Sequence, residues 1–188
     1  MSFEKDFVDE VNQLRKDPKG FADKIEKNKQ YFKDKVWMNP ETKVGLKTQE
    51  GAAAYDDAIE YLRTKAKPAE PFTPSKALFK IAGDFLAEYQ KDVDAKIEID
   101  TVAGKYGNFE GSFRRLMQFG PGNPEQTLIN TIVSDGDTAR KEREVLLSDD
   151  LKLIGVAHGT HDIYKGATII TLCTKFNNTV DADDNQTF

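Results

Sequence analysis

Residues 151–176, LKLIGVAHGTHDIYKGATIITLCTKF, hold two β-rich runs joined by a polar segment, THDIYK. Leu151 to Gly159 and Gly166 to Phe176 are dense in β-branched and small apolar residues, so they are expected to form an antiparallel hairpin with a mostly buried face. Upstream of this hairpin the chain reads chiefly as helices, with no strand-helix-strand alternation. The expected class is therefore α+β, helices packed on a small antiparallel sheet.

The helices announce themselves by caps and period. Ser2 caps a helix whose apolar positions Phe3, Phe7, Val11 and Leu14 recur at helical spacing. Asp17-Pro18 restarts the chain as a second helix with Phe21, Ile25 and Phe32 inward. Residues 33–47, with Pro40 and Gly45, lack period and read as an irregular excursion holding a short extended piece, with Trp37 as a packing anchor. Thr48 is expected to open a third helix reaching about Lys65, with Ala54, Tyr55, Ala58, Ile59 and Leu62 inward. The stretch KPAEPFTP is a stiff connector, and Thr73-Pro74 reads as cap and first turn of the strongest amphipathic helix, bearing Leu78, Ile81, Ala82, Phe85, Leu86 and Tyr89. AKIEIDTVAGKYGNFEG is expected to give one strand, SFRRLMQF a short helix ended by Gly120-Pro121-Gly122, and Asn123-Pro124 a further helix burying Leu128, Ile129, Ile132 and Val133. Residues 1–176 thus read as a single domain, with 177–188 as an acidic, loosely ordered tail.

Composition narrows the function. With 188 residues the chain can bury a sizeable core, and 27 Lys+Arg against 32 Asp+Glu give a net charge of −5, which argues against a nucleic-acid partner. The lone Cys173 cannot form an internal disulfide and lies in an apolar run, where a buried, inert thiol is expected. The charged start is unlike a signal peptide, and no apolar run has the length of a membrane span, so a soluble cytoplasmic protein is expected.

The order of segments resembles the CAP superfamily, also called the SCP domain, in the disulfide-free form met in protists and bacteria. VNQLRKDPKGFA is similar to the opening Asn-x-x-Arg-x-x-Pro helix, LKTQEGAAAYDDAIEYL to the Thr-x-Glu-Gly helix, and PFTPSKALFKIAGDFLAEYQKD to the central helix. GSFRRLMQFG resembles the Arg-Met-x-x-Tyr-Gly segment, and SDGDTARKEREVLLSDDLKLIGVAHGTHDIYKG the signature. The resemblance implies a three-layer α-β-α sandwich and a cleft that, in the family, carries two histidines and two glutamates for a divalent metal. Here Gly104 falls on the first histidine, Glu142 on the second and Glu125 on one glutamate, while the other glutamate has no counterpart. Neither a glycine nor one carboxylate restores a nitrogen-rich zinc site, so no cofactor and no catalysis are expected. The run Arg140, Lys141, Glu142, Arg143, Glu144 is either the remnant of that site rebuilt as charged surface or a solvated charged helix. Asp135 is expected to cap the helix that follows it.

Rival sites are thin. His158 and His161 stand three apart, a spacing that in a strand points side chains to opposite faces, and the family resemblance suggests a turn-stabilising hydrogen bond for His161. Asp181, Asp183 and Asn185 match early calcium-loop spacings, but the required glycine is replaced by Gln186 and the bidentate glutamate is missing. The leading expectation is a non-catalytic protein-interaction or structural module, with Trp37, Met38, Phe109, Arg140, Lys141 and Arg143 as its surface. In a protist-like intracellular setting this extends to a cytoskeletal or ciliary assembly. The alternatives are a lipid or sterol groove lined by Trp37, Met38, Phe109, Phe113, Met117 and Phe119, and a metal-dependent hydrolase with an unrecognised ligand set.

Overall fold

A computed structural model describes residues 2–179. Helices α1 (Phe3–Lys16) and α2 (Pro18–Lys29) are capped as their sequences dictate: the Ser2 hydroxyl accepts from the Lys5 amide and the Asp17 carboxylate from the Gly20 amide, with Pro18 in the first turn. Strands β1 (Phe32–Lys33), β2 (Val36–Met38) and β3 (Gly45–Lys47) then form a three-stranded antiparallel sheet where an irregular excursion was expected. Phe32, expected on the inward side of α2, belongs to β1 and packs edge-on against Tyr55 at 5.0 Å.

Helix α3 (Ala52–Thr64) starts later than expected. Thr48 holds the preceding turn instead, its hydroxyl donating to the Lys35 carbonyl and accepting from the Gly51 amide. Strand β4 (Thr73–Pro74) replaces the expected cap, and Ser75 caps α4 (Lys76–Tyr89). A proline is tolerated in β4 because the strand lies at a sheet edge.

Helix α5 (Ile99–Ala103) leads into β5 (Gly107–Phe119), a thirteen-residue strand. SFRRLMQF is therefore not a helix. Strand β5 sends Phe113 to one core and Leu116 to the other while Arg114 and Met117 stay exposed, so the clean alternation that marks a half-solvated strand is absent, and pairing with β7 decides its conformation. Helices α6 (Pro124–Val133) and α7 (Lys141–Leu146) follow, then the expected hairpin of β6 (Leu153–Gly159) and β7 (Ala167–Asn178). Strand β7 runs two residues into the expected tail; positions 180–188, with Asp181, Asp183 and Asn185, lie outside the described residues.

The second sheet has the order β4-β6-β7-β5, antiparallel except for the parallel β4–β6 edge. Leu116, Ile154, Val156, Ile170 and Leu172 face a core shared with α1, α2, α3, α6 and α7. Phe113, Ala167, Ile169 and Cys173 face a second core under α4 and α5. The class is α+β, as expected, with helices on both faces of one sheet. Gly155 sets the closeness of α4, since a Cβ there would fall 2.1 Å from the Leu78 carbonyl carbon. Among the described residues no helix is long and apolar enough to cross a membrane.

Two arginines fasten the helical layer. Arg15, fully buried, donates to the carbonyls of Glu70, Leu146 and Ser148 at 2.6, 2.7 and 3.0 Å and stacks over Phe72 at 3.8 Å. Burial pulls its guanidinium down to about 10. Asn12 clamps Phe72 from both sides, donating to its carbonyl at 3.1 Å and accepting from its amide at 2.8 Å. Asn12 and Arg15 thus pin the Pro-rich connector and the end of α7 to α1.

Candidate functional site

The charge run is solvated only in part: Lys141 and Glu144 are exposed, and its two arginines are not. Arg143 is 2% exposed, with Nε donating to the Ile132 carbonyl at 2.8 Å, Nη2 to Val133 at 3.3 Å and Nη1 to the Asp57 carboxylate at 2.9 Å. Its role is to satisfy the last carbonyls of α6, which no intrahelical amide can reach. Arg140 donates to the Ser134 carbonyl and to Glu50 at 2.6 Å, with Asp57 3.2 Å from its Nε. Glu50 also accepts from the Gly136 amide at 2.7 Å, and Arg140 with that amide holds its carboxyl below the ordinary 4.5. Asp135 does not cap the helix that follows it, α7; its carboxylate accepts from the Gln49 and Glu50 amides at 2.7 and 2.8 Å, fixing the entry to α3. Only Lys141 of the three basic residues expected on the surface is exposed there.

Two of the expected cleft residues, Glu125 and Glu142, border neighbouring hollows that share Leu46, Pro121 and Asn130, whereas Gly104 lines neither. Gly104, exposed, ends α5 next to Val102 and Ala103, which belong to the core under α4. Glu125 lies on the first turn of α6, 3.2 Å from Lys24. Glu142 lies on α7, its Oε2 3.0 Å from the Ser134 hydroxyl. Among the described residues no three His, Cys, Asp or Glu side chains gather where they could hold a metal ion.

The other reactive types are occupied. His158 stacks on Phe3 at 3.8 Å and bonds Thr168 through Nδ1 at 2.8 Å, and burial holds it below 6.5. His161 stabilises its turn as expected: Nδ1 accepts from the Ile163 and Tyr164 amides, both at 3.2 Å. Its buried Nε2 has no hydrogen-bond partner among the described residues. Burial pushes the Cys173 thiol up to about 12, leaving almost no thiolate at neutral pH.

What does stand open is a groove in two connected parts. The outer part, about 690 Å³, lies between α2, the β2–β3 hairpin and the start of α6, with Tyr31, Trp37, Pro40, Val44, Leu46 and Pro121 among its walls. The inner part, about 330 Å³, shares Leu46, Pro121 and Asn130 with it and is lined further by Tyr55, Met117, Phe119, Asp135, Asp137 and Glu142. Gln126 crosses the floor, donating to Asn130 at 2.8 Å and to the Tyr55 hydroxyl at 3.4 Å. Burial raises that phenol to about 12, so it stays a neutral donor. Val44 is 63% exposed and Leu46 45%, large apolar side chains left in water beside the opening.

Trp37 is a packing anchor and not an exposed contact: it is buried, with its indole N–H donating to the Asn28 carbonyl at 3.2 Å. Met38 is exposed on the same sheet. Phe109 packs on Phe113 at 5.1 Å against the other core, so the proposed surface is split across the molecule. The six expected lipid-lining residues are also divided, since Phe109 and Phe113 line a separate hollow of about 780 Å³ between residues 93–100 and β5, with Met117 bordering both it and the inner part of the groove. Val44, Leu46, Tyr31 and Asn130 were missed. The segment KVGLK offered the one available signal, apolar residues alternating with Lys and Gly in a loop.

No protein-family model matches the chain, and no curated protein matches it at a significant level. Among solved structures, an outer surface protein from Borrelia burgdorferi is similar at 13% identity, with a TM-score of 0.45, over 55% of this chain and 77% of that one.

Proposed function

We propose that this chain is a CAP-like scaffold serving as a non-catalytic, cytoplasmic binding module for another protein, with the two-part groove as its contact face. The carrying observation is the exposure of Val44 and Leu46 on the wall of the groove. An apolar wall with a few convergent polar groups at its end is the usual composition of a ligand site. Of the carboxylates nearby, Glu125 pairs with Lys24, Asp135 holds two backbone amides, and Glu142 meets Ser134 through one oxygen. That supports binding over hydrolysis.

The test places a photo-crosslinking benzoylphenylalanine at position 44 and, as control, at exposed Lys96. Irradiation in extract of the source cells should give one or a few defined adducts from position 44 only, lost when Leu46→Asp is added. Equal labelling from both positions, or none, would refute the reading, as would ester or peptide hydrolysis abolished by Glu142→Gln.

A further inference from the structure

We infer that the groove's occupant is an extended segment of a partner protein that presents apolar side chains to the outer part and a lysine or arginine to the inner part. This rests on the binding reading above. Two independent features specify it.

The first is charge. Asp135, Asp137 and Glu142 line the inner part, with Lys47 as the one cation among its described walls. Asp135 is fully used by two backbone amides. Asp137 accepts from the Ala139 amide through Oδ1, and Glu142 meets Ser134 through Oε2. Among the described residues one oxygen of each has no protein partner, and neither carboxylate is in an ion pair. The arginines of the run do not answer them, because Arg140 and Arg143 are held by Glu50, Asp57 and helix-end carbonyls. An ammonium or guanidinium entering here forms charge-assisted bonds to Asp137 and Glu142, with the Asn130 amide and Tyr55 hydroxyl beside them for a backbone carbonyl.

The second is backbone. Strand β3 is an edge of its sheet. The Asn39 amide donates to the Val44 carbonyl and the Thr48 amide to the Lys35 carbonyl, and alternation along the register then turns the backbone groups of Val44, Leu46 and Thr48 toward β2. Gly45 and Lys47 consequently direct their amides and carbonyls to the open side, and these two residues line the outer and the inner part of the groove respectively. An extended peptide can pair with that edge, with alternate side chains falling into the groove. A cationic amphiphile has no amides to do so, which is why the occupant is a protein segment.

The probes are fluorescein-labelled, C-amidated octapeptides with Leu or Val at alternate positions and one Lys, the same peptides with Glu for Lys or N-methylated at alternate amides, and dodecylamine. The Lys peptides should bind, and affinity should fall about tenfold or more with Glu142→Gln, with the Lys-to-Glu exchange, and with N-methylation in one of its two phases but not the other. Glu142→Gln retains a Ser134 contact; Asp137→Asn, which keeps its bond to Ala139, is the second variant, and both should melt like the parent protein. Binding that needs Leu46 but ignores Glu142, Asp137 and peptide charge would overturn this inference while leaving the groove as the contact face. Dodecylamine competing as well as the best peptide, or a concentration-dependent dimer lost in Leu46→Asp, would overturn it in favour of an amphiphile or a second copy. Absence of both peptide binding and position-44 crosslinks would remove the binding reading as well.

Discussion

Arg143, fourth in an unbroken run of five charged residues, is 2% exposed, whereas Val44, at the end of the turn that joins β2 and β3, is 63% exposed. The two regions invert the usual sorting of side chains. At α7 a charge is buried because it meets what the backbone lacks: the helix-end carbonyls of α6 cannot be left unpaired away from water, and a planar guanidinium satisfies two of them and a carboxylate together. At β2–β3 apolar groups stay in water because the three-stranded sheet is too small to cover both its faces. A buried charge is thus a structural part, and on the proposed reading an exposed valine marks a contact face.

If that contrast holds, substitutions should separate stability from binding. The largest expected effect is at Arg15, which donates to four carbonyls, those of Leu146 and Ser148 near the end of α7 among them. Arg15→Met should lower unfolding free energy by about 4 kcal/mol, from desolvated carbonyls at roughly 1–3 kcal/mol each, read from urea titration. A loss below about 1 kcal/mol would mean that water replaces the guanidinium. Arg143→Met should cost about 2–3 kcal/mol by the same measurement, since it strands two carbonyls while its methylenes still pack.

The Glu50–Arg140 contact gives a smaller, pH-dependent effect. Because the folded Glu50 carboxyl titrates below its ordinary 4.5, its contribution is present above that value and is lost as pH falls through the lowered one. The difference in urea midpoint between the parent protein and Glu50→Gln should therefore be larger at about pH 6 than at about pH 3. A difference constant with pH would show that the hydrogen bonds, and not the charge, carry the contact.

The smallest effect on stability is expected where the effect on function is greatest. Leu46→Asp should change unfolding free energy by no more than about 0.5 kcal/mol, as for a surface substitution, while abolishing crosslinking from position 44. A cost above about 2 kcal/mol would show that Leu46 belongs to the core and would erase the contrast between the two regions.

Local chemistry made much of the frame legible. Ser2, Asp17-Pro18 and Asn123-Pro124 each offer a capping oxygen, the last two with a rigid first turn, so α1, α2 and α6 begin where those residues stand. The β-branched runs around Val156 and Ile170 pair as a hairpin because neighbouring strands close through a short turn. SFRRLMQF misleads for a reason of the same kind. Phe113 and Leu116 suit one helical face, and nothing nearby reveals that β7 supplies a partner along the length of β5, with a helix layer on each side.

The candidate site was less legible. Glu142 and Asp135 were singled out, but the partners that give them roles, Ser134 and the Gln49 and Glu50 amides, depend on how α3, α6 and α7 pack. By itself the sequence determined the class, the caps of α1, α2 and α6, the final hairpin and the inert cysteine, because each follows from propensity, spacing or apolar surroundings within a few residues. Only the tertiary structure decided that Arg15 and Arg143 are internal fasteners, that Gly104 lies apart from Glu142, and that Val44 and Leu46 border an open groove. Burial and hydrogen-bond satisfaction there are set by residues far away along the chain, as Arg15 and Leu146 are, 131 positions apart, a distance over which no sequence period reports.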